Sequence, residues 1–220
     1  MQPELRNRLR DNYSTIYVTI VSVMLGLALD DLVSIMRSLE NISLFNWLTA
    51  AFSAHVIFNA WVGYSCTAAI LRLVPSVWDA LNVLALSLAH FGLNSAIGEE
   101  PIIFFCVASC YAAIAGAVTY YNVWRADQDD AVNIKVSTFR AVIGVNVAGT
   151  IGFLTAGILT RTMLLTPDFQ AVIVAMALPF ATLWIFVFLR VWKANGLPVW
   201  LDGARSKKTP AEITPRKPEM

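Results

Sequence analysis

Two stretches of this chain share a spacing of residues that could carry chemistry. One covers residues 54–63 and the other residues 89–98, and both read Ala-His-x-x-x-Asn-x-x-x-Gly. Residues four apart lie on one face of a helix, so each stretch would present an imidazole, an amide and a glycine together. His55 and His90 are the only two histidines in the chain. If the two helices are antiparallel neighbours, as in a local inverted pair, we expect the imidazoles to face one another.

An acidic residue joins this pattern from an earlier apolar stretch. A polar stripe recurs there at spacings of four, three, four and four residues: Thr15, Thr19, Ser22, Gly26 and Asp30. Asp31 follows directly, and the helix dipole disfavours two acids close to a C-terminal end, so capping does not account for them. A carboxylate inside a membrane costs about 2.5–3.5 kcal/mol on insertion scales and usually faces a cavity or a partner. We therefore predict a polar intramembrane pocket lined by Asp30, His55, Asn59, Ser87, His90 and Asn94.

Acid and imidazole side chains in one such pocket favour the binding or passage of a proton or a small cation. Asp30 and a nearby histidine could exchange protons close to neutral pH. Asn59 and Asn94 would supply carbonyl oxygen ligands or orient the rings. On this interpretation the chain is a channel or transporter, and the pocket residues are its ion- or proton-binding site.

Three alternatives use the same residues differently. The polar side chains could only bond across helices and hold a bundle together, as in a structural or accessory subunit of a membrane complex. His55 and His90 could instead hold a metal, as the two axial ligands of a single b-type haem. An enzyme is the least favoured class, because the chain has no helical His-Glu-x-x-His, no Gly-x-Ser-x-Gly and no phosphate-binding glycine loop. The transport interpretation requires no cofactor and no catalytic residue.

The elements that must position these residues are membrane-spanning helices. The chain is 57% hydrophobic and 14% charged, whereas soluble domains are roughly half apolar and a quarter charged. Six apolar stretches are each long enough to cross about 30 Å of hydrocarbon, near residues 13–36, 44–71, 76–96, 101–123, 138–160 and 167–191. Backbone groups in lipid must bond within their own segment, so these spans are helices. The predicted fold class is an all-α integral membrane protein, a bundle of six transmembrane helices.

The distribution of cationic residues orients this bundle. Fourteen of the sixteen Lys and Arg residues flank the spans on one side, and only Arg37 and Arg161 lie on the other. Cytoplasmic flanks carry the excess of Lys and Arg, so both termini are predicted to be cytoplasmic. The predicted organisation is a cytoplasmic N-terminal segment (1–12), a transmembrane domain (13–195) and a disordered cytoplasmic tail (196–220). We expect the protein in a membrane, most simply the bacterial inner (plasma) membrane.

Small residues predict how the helices pack and what the protein contacts. The fifth span carries Gly144, Ala148, Gly152 and Ala156 at a spacing of four, and the fourth span carries matching small-residue stripes. Such stripes let two helix backbones approach closely in lipid. We expect the fourth and fifth helices to pack tightly, within one chain or between copies. The predicted partners are the lipid bilayer and a second copy or other membrane subunits, with no nucleic acid. An odd number of cysteines, all within spans, argues against a disulfide framework.

Overall fold

Helices account for nearly all of the chain that the structure, a computed structural model, describes. The described residues are 3–70, 77–97, 101–126, 139–163 and 167–194. Within them are six α-helices: α1 (Pro3–Ser38), α2 (Leu44–Ile70), α3 (Val77–Ser95), α4 (Pro101–Ala126), α5 (Phe139–Met163) and α6 (Pro167–Ala194). Pro101 and Pro167 each occupy a first helical position, where the missing N–H of proline leaves no bond unmade. The predicted tail (196–220) lies outside the described residues.

The helix bounds agree closely with the predicted spans. Three helices contain stretches long and apolar enough to cross a membrane: Thr15–Ser38, Phe139–Thr162 and Phe169–Ala194. Two further helices contain shorter apolar stretches, Val83–Ser95 and Phe105–Tyr121. Large apolar side chains also cover the outside of the helices, such as Leu88, Ile151 and Met176, which are each at least 60% exposed. Lipid is the solvent that suits this surface, and the chain is an all-helical membrane protein.

The first helix begins earlier than the sequence predicts. It starts at Pro3 and runs for 36 residues, so it is about 54 Å long at 1.5 Å per residue. Most of the predicted cytoplasmic N-terminal segment (1–12) is therefore helical and continuous with α1. Hydropathy locates only the apolar part of a helix, whereas Glu, Leu and Arg in this segment are good helix formers that extend it.

Five of the helices form a closed ring. Going around it, α2 packs against α3, α3 against α4, α4 against α5, α5 against α6, and α6 returns to α2. The first helix lies outside this ring and packs across α2 and α3. The side chains that face the interior of the ring thus come from five different helices.

The closest helix pair is α4 with α5, as predicted. Gly116 of the α4 small-residue stripe takes part in it, because a Cβ there would meet the Asn146 side chain of α5, and a Cβ at Gly157 of α5 would lie 3.2 Å from Cys106 Cβ of α4. Gly149 accommodates α6 instead, since a Cβ there would lie 2.7 Å from Phe180 Cε1. Gly144 and Gly152 of the α5 stripe have open space, so their part in the α4–α5 contact was wrong; a contact between copies stays a prediction. All three cysteines are free, as expected.

Candidate functional site

Asn94 is the centre of a hydrogen-bond network that joins three helices. It is fully buried near the end of α3. Ser53 of α2 donates its hydroxyl to Asn94 Oδ1 at 2.7 Å. The amide nitrogen donates to the Ala28 carbonyl oxygen of α1 at 2.7 Å and to Asp31 Oδ2 at 2.9 Å. Asp31 is only partly buried, so the network runs from the buried Asn94 side chain to a partly exposed carboxylate on α1.

His90 lies one helical turn deeper on the same face of α3. Its side chain has no exposed surface, and neither Nδ1 nor Nε2 has a hydrogen-bond partner among the described residues. Leu86, one further turn along this face, lines a cavity inside the helix ring. His90 is thus one turn from Asn94 and one turn from Leu86, and it is not itself among the residues that line the cavity. In a neutral imidazole one nitrogen is a hydrogen-bond donor and the other an acceptor. Because buried polar atoms nearly always have a hydrogen-bond partner, the two nitrogens of His90 are exceptional.

The cavity has a volume of about 90 Å³ and is lined by residues of all five ring helices. The polar residues in its lining are Asn59, Tyr64, Ser109, Thr119, Tyr120 and Asn146. Most of the remaining wall is aromatic or small. The Oδ1 atom of Asn59 and the hydroxyl of Ser109 lack a partner among the described residues, but both atoms are themselves buried and have almost no accessible surface. The surface of the cavity is thus mostly apolar.

Hydroxyl groups lie in the part of the cavity near the C-terminal half of α4. Tyr64 of α2 and Thr119 of α4 share a hydrogen bond of 2.8 Å between their hydroxyl oxygens. The phenol of Tyr120 reaches the α2 backbone, since a Cβ at Gly63 would lie only 2.6 Å from its oxygen. Any larger residue than glycine at this position would displace the Tyr120 hydroxyl from the α2 side of the cavity.

An aromatic cluster closes the same end of the ring. The ring of Tyr120 stacks on Phe139 of α5 with centroids 5.9 Å apart. The rings of Trp184 and Phe188 are parallel at 5.4 Å, and Phe188 stacks in turn on Trp192 at 5.4 Å. Phe139, Phe188 and Trp192 are almost fully buried. Tyr120 and Trp184 also line the cavity, so the aromatic cluster is continuous with its wall.

The remaining predicted pocket residues lie in different surroundings. Asp30 is exposed, and its neighbour Asp31 makes the contact with Asn94. Ser87 is buried but donates its hydroxyl to the Val83 carbonyl of its own helix at 2.9 Å. Asn59 is buried and donates to the Ala181 carbonyl of α6 at 2.8 Å, while its Oδ1 atom is buried without a partner among the described residues.

The two histidines do not face one another as the repeated pattern suggests. His55 lies one turn before Asn59 on the same face of α2, and that face contacts α6. The residue of α2 that reaches α3 is Ser53, two positions earlier, which points about 200° away from His55 around the helix. His55 is half-buried, and its Nε2 atom is buried without a partner among the described residues. A haem held between His55 and His90 gains no support, because axial ligands must approach from facing helix surfaces.

Sequence reasoning missed three contributors to this site: Ser53, Asp31 and Ser109. Ser53 is four residues before Ile57, on the α2 face that packs against α1 and α3, and this face is not distinguished by hydropathy. Asp31 was passed over in favour of Asp30, which continues the polar stripe. Ser109 belongs to a small-residue stripe of α4 that was assigned to packing alone. The buried unpaired hydroxyl is the signal that singles it out, and only the structure shows it.

No protein-family model, no characterised protein and no solved structure matches this chain. The fold and the site therefore define its class alone: an all-helical membrane protein with a mostly apolar cavity between five helices and a buried hydrogen-bond network that joins α1, α2 and α3.

Proposed function

We propose that this chain crosses the membrane six times with both termini in the cytoplasm and transfers a proton or a small cation through the interior of its helix ring. The cationic flanks support the orientation, and the closed ring of five helices supports an internal route. In this arrangement α3 and α5 run outward and α4 and α6 run inward. The Asn94 network then lies near the outer surface and the aromatic cluster near the cytoplasm. A bacterial inner membrane and an assembly of several copies or subunits stay predictions of the same proposal.

The observation that carries the proposal is the unpaired state of His90. Leaving a buried polar group unsatisfied costs about 1–3 kcal/mol. A side chain kept only for packing would be replaced at no loss by leucine. The chain instead has a fully buried imidazole one helical turn from the Asn94 network, and neither of its nitrogens has a partner among the described residues. Intramembrane ionisable residues that face such surroundings are typical of ion and proton pathways.

The polar groups are also distributed through the depth of the bundle. His90 is five residues, or about 8 Å, from the end of α3 at Ser95. Ser109 is eight residues, or about 12 Å, from the start of α4, and Thr119 is about 27 Å from it. Hydrocarbon is about 30 Å thick. Polar atoms in the ring thus span most of the distance that a permeating species must travel.

The test is flux through the purified protein in liposomes. An inside-negative membrane potential is imposed with a potassium gradient and valinomycin, so that cations are driven inward. The internal pH is measured with a trapped dye. We expect wild-type flux above that of protein-free liposomes and at least a tenfold loss in His90→Gln, which keeps a polar side chain of similar size. Ser95→Ala is the matched control, since Ser95 is exposed on the same helix and bonds only to its own turn. Equal flux in His90→Gln and Ser95→Ala would refute a route through His90.

A structural or accessory role is the second candidate. The hydrogen bonds that side-chain amides donate to neighbouring helices favour it. Asn94 and Asn59 both donate to backbone carbonyls of other helices, as residues that only hold a bundle together do. If this is the whole function, both histidines can be replaced without loss, and stoichiometric partners will co-purify with the chain. The His90→Gln flux measurement separates the two candidates directly.

A further inference from the structure

We propose that the cavity inside the helix ring is a binding site for a neutral hydrocarbon group no larger than a single six-membered ring. Such a site lies outside the proposed transport, and its occupancy is measured without flux. The cavity has a volume of about 90 Å³ and is partly open, so a ligand has both room and access. An apolar protein cavity of about 150 Å³ stays dry and binds benzene or xenon. The cavity here is smaller, which limits the ligand to one ring or the end of a chain.

Small side chains leave this space between the helices. Five residues of the cavity lining, on α2, α4 and α6, are alanine or glycine: Ala60, Ala112, Ala113, Gly116 and Ala181. Atoms around a void have no neighbours on one side and lose the dispersion attraction that close packing would give them. A hydrocarbon that fills the void restores these contacts, and it also removes its own apolar surface from water.

Aromatic rings form much of the wall that such a ligand would contact. They come from α2, α4, α5 and α6: Phe52, Tyr64, Tyr120, Phe153, Phe180 and Trp184. The ring of Phe153 makes edge-to-face contacts with Phe52 at 5.9 Å and with Phe180 at 6.1 Å between centroids. Aromatic pairs favour this arrangement at centroid distances of about 4.5–7 Å. A flat hydrocarbon ring in the cavity can add further contacts of the same kind.

The polar residues of the lining are not arranged to hold a polar ligand. The hydroxyls of Tyr64 and Thr119 bond to each other at 2.8 Å, and the amide of Asn146 donates to a carbonyl of its own helix at 2.9 Å. Asn59 Oδ1 and the Ser109 hydroxyl have almost no accessible surface. None of the described residues that line the cavity carries a charge. A charged or hydrogen-bonding ligand would therefore lose its bonds to water without replacement, whereas a hydrocarbon has none to lose.

The surrounding bilayer is the nearest source of such a group. Large apolar side chains cover the outside of the helices, as at Leu88, Ile151 and Met176, so hydrocarbon chains surround the protein. The methyl end of a lipid chain and a small free hydrocarbon present the same chemistry to the cavity. The test therefore needs one arm for binding and one arm for the source.

The binding arm is NMR of the full chain in lipid nanodiscs, with ¹³C-labelled alanine methyl groups and benzene as the probe. A benzene ring held in the cavity shifts neighbouring methyl signals by its ring current. We expect the signals of Ala112 and Ala113, which line the cavity, to move until they saturate. Those of Ala51 and Ala148, which are exposed, should change only in proportion to the benzene dissolved in the lipid. Neutral pyridine has the shape of benzene but a ring nitrogen that needs a donor, so its half-saturating concentration in the lipid should be at least tenfold higher.

Two variants with a matched control locate the site. Ala60→Leu adds three carbons to the lining and should raise the half-saturating benzene concentration at least tenfold. Ala51→Leu makes the same change at an exposed position of the same helix and should leave binding unchanged. Val56→Ala removes two carbons from the lining and should bind toluene at least tenfold more tightly than the wild type does. Shifts of Ala112 and Ala113 that do not saturate, or equal benzene binding in Ala60→Leu and Ala51→Leu, would overturn the site.

The source arm uses a phospholipid that carries a photoreactive diazirine at the end of one chain. Adducts on cavity residues such as Phe153 that benzene suppresses would identify the lipid chain as the ligand. Saturable benzene binding with adducts confined to exposed residues such as Ile151 would identify a free hydrocarbon instead. Either result supports the site, and both are independent of whether His90→Gln loses flux.

Discussion

The sharpest prediction concerns two residues one helical turn apart on α3, His90 and Asn94. Replacing His90 with leucine removes two nitrogens that have no partner among the described residues. Exchange of an unsatisfied buried group for an apolar one of similar size is neutral or stabilising. We therefore expect the free energy of unfolding of His90→Leu to equal that of the wild type or to exceed it by up to about 3 kcal/mol. We expect proton flux to be lost in the same variant.

Asn94→Leu should do the opposite to stability. It removes three hydrogen bonds, to Ser53, Ala28 and Asp31. Hydrogen bonds between membrane helices contribute about 0.6 kcal/mol each on average, so the free energy of unfolding should fall by about 2 kcal/mol. Two equally buried polar residues on one helix face are thus predicted to differ in the sign of their effect on folding.

Unfolding of both variants is measured by titrating sodium dodecyl sulfate into mixed micelles and recording tryptophan fluorescence and helical circular dichroism. The transition must be reversible and must coincide for the two probes before free energies are compared. A loss of more than about 1 kcal/mol in His90→Leu would show that the imidazole holds a stabilising partner. The reasoning from unpaired atoms, and with it the case for His90 as a functional residue, would then be refuted.

Two further pairs of variants test the site and the packing. Asp31→Ala removes one hydrogen bond of Asn94, so it should reduce flux and lower the free energy of unfolding by up to about 1 kcal/mol. Asp30 is exposed, so Asp30→Ala should leave flux unchanged and alter the free energy of unfolding by no more than about 0.5 kcal/mol. Gly149→Ala places a methyl group against Phe180 and should destabilise by about 1–3 kcal/mol in the same titration. Gly152→Ala meets open space and should be neutral or stabilising, since alanine is the better helix former by about 1 kcal/mol. Equal behaviour within either pair would contradict the placement of its two residues.

Most of the helix framework could be predicted because the length of an apolar run is a local property of the sequence. Helices α2, α4 and α6 begin at the predicted residues, Leu44, Pro101 and Pro167. The early start of α1 could not be predicted from hydropathy, since its first turns are polar. The α4–α5 contact was predicted correctly from small residues, and Gly116 of α4 lies in it, but on α5 the glycine in the contact is Gly157 and not Gly144 or Gly152. A small-residue stripe shows that close approach is possible, not which side of the helix faces the neighbour.

The composition of the site was partly predictable and its geometry was not. Asn59, His90 and Asn94 are buried as expected of polar residues within spans. Their convergence depends on how each helix is rotated about its own axis, and neighbouring residues differ by about 100° in direction. That angle separates Asp30 from Asp31, and twice that angle separates His55 from Ser53. Such rotations are decided by packing between helices, so a repeated motif on two helices does not imply that the two copies meet.

The length of α1 gives the Asn94 network a mechanical consequence. A helix of about 54 Å is longer than the 40–45 Å thickness of a bilayer with its headgroups, and only its stretch Thr15–Ser38 is apolar enough to cross one. The side-chain amide of Asn94 donates to this helix at two points towards the C-terminal end of that stretch, a backbone carbonyl and a carboxylate. Loss of both hydrogen bonds would leave α1 attached at this level by apolar contacts alone, free to tilt away from α3 as lipid thickness changes.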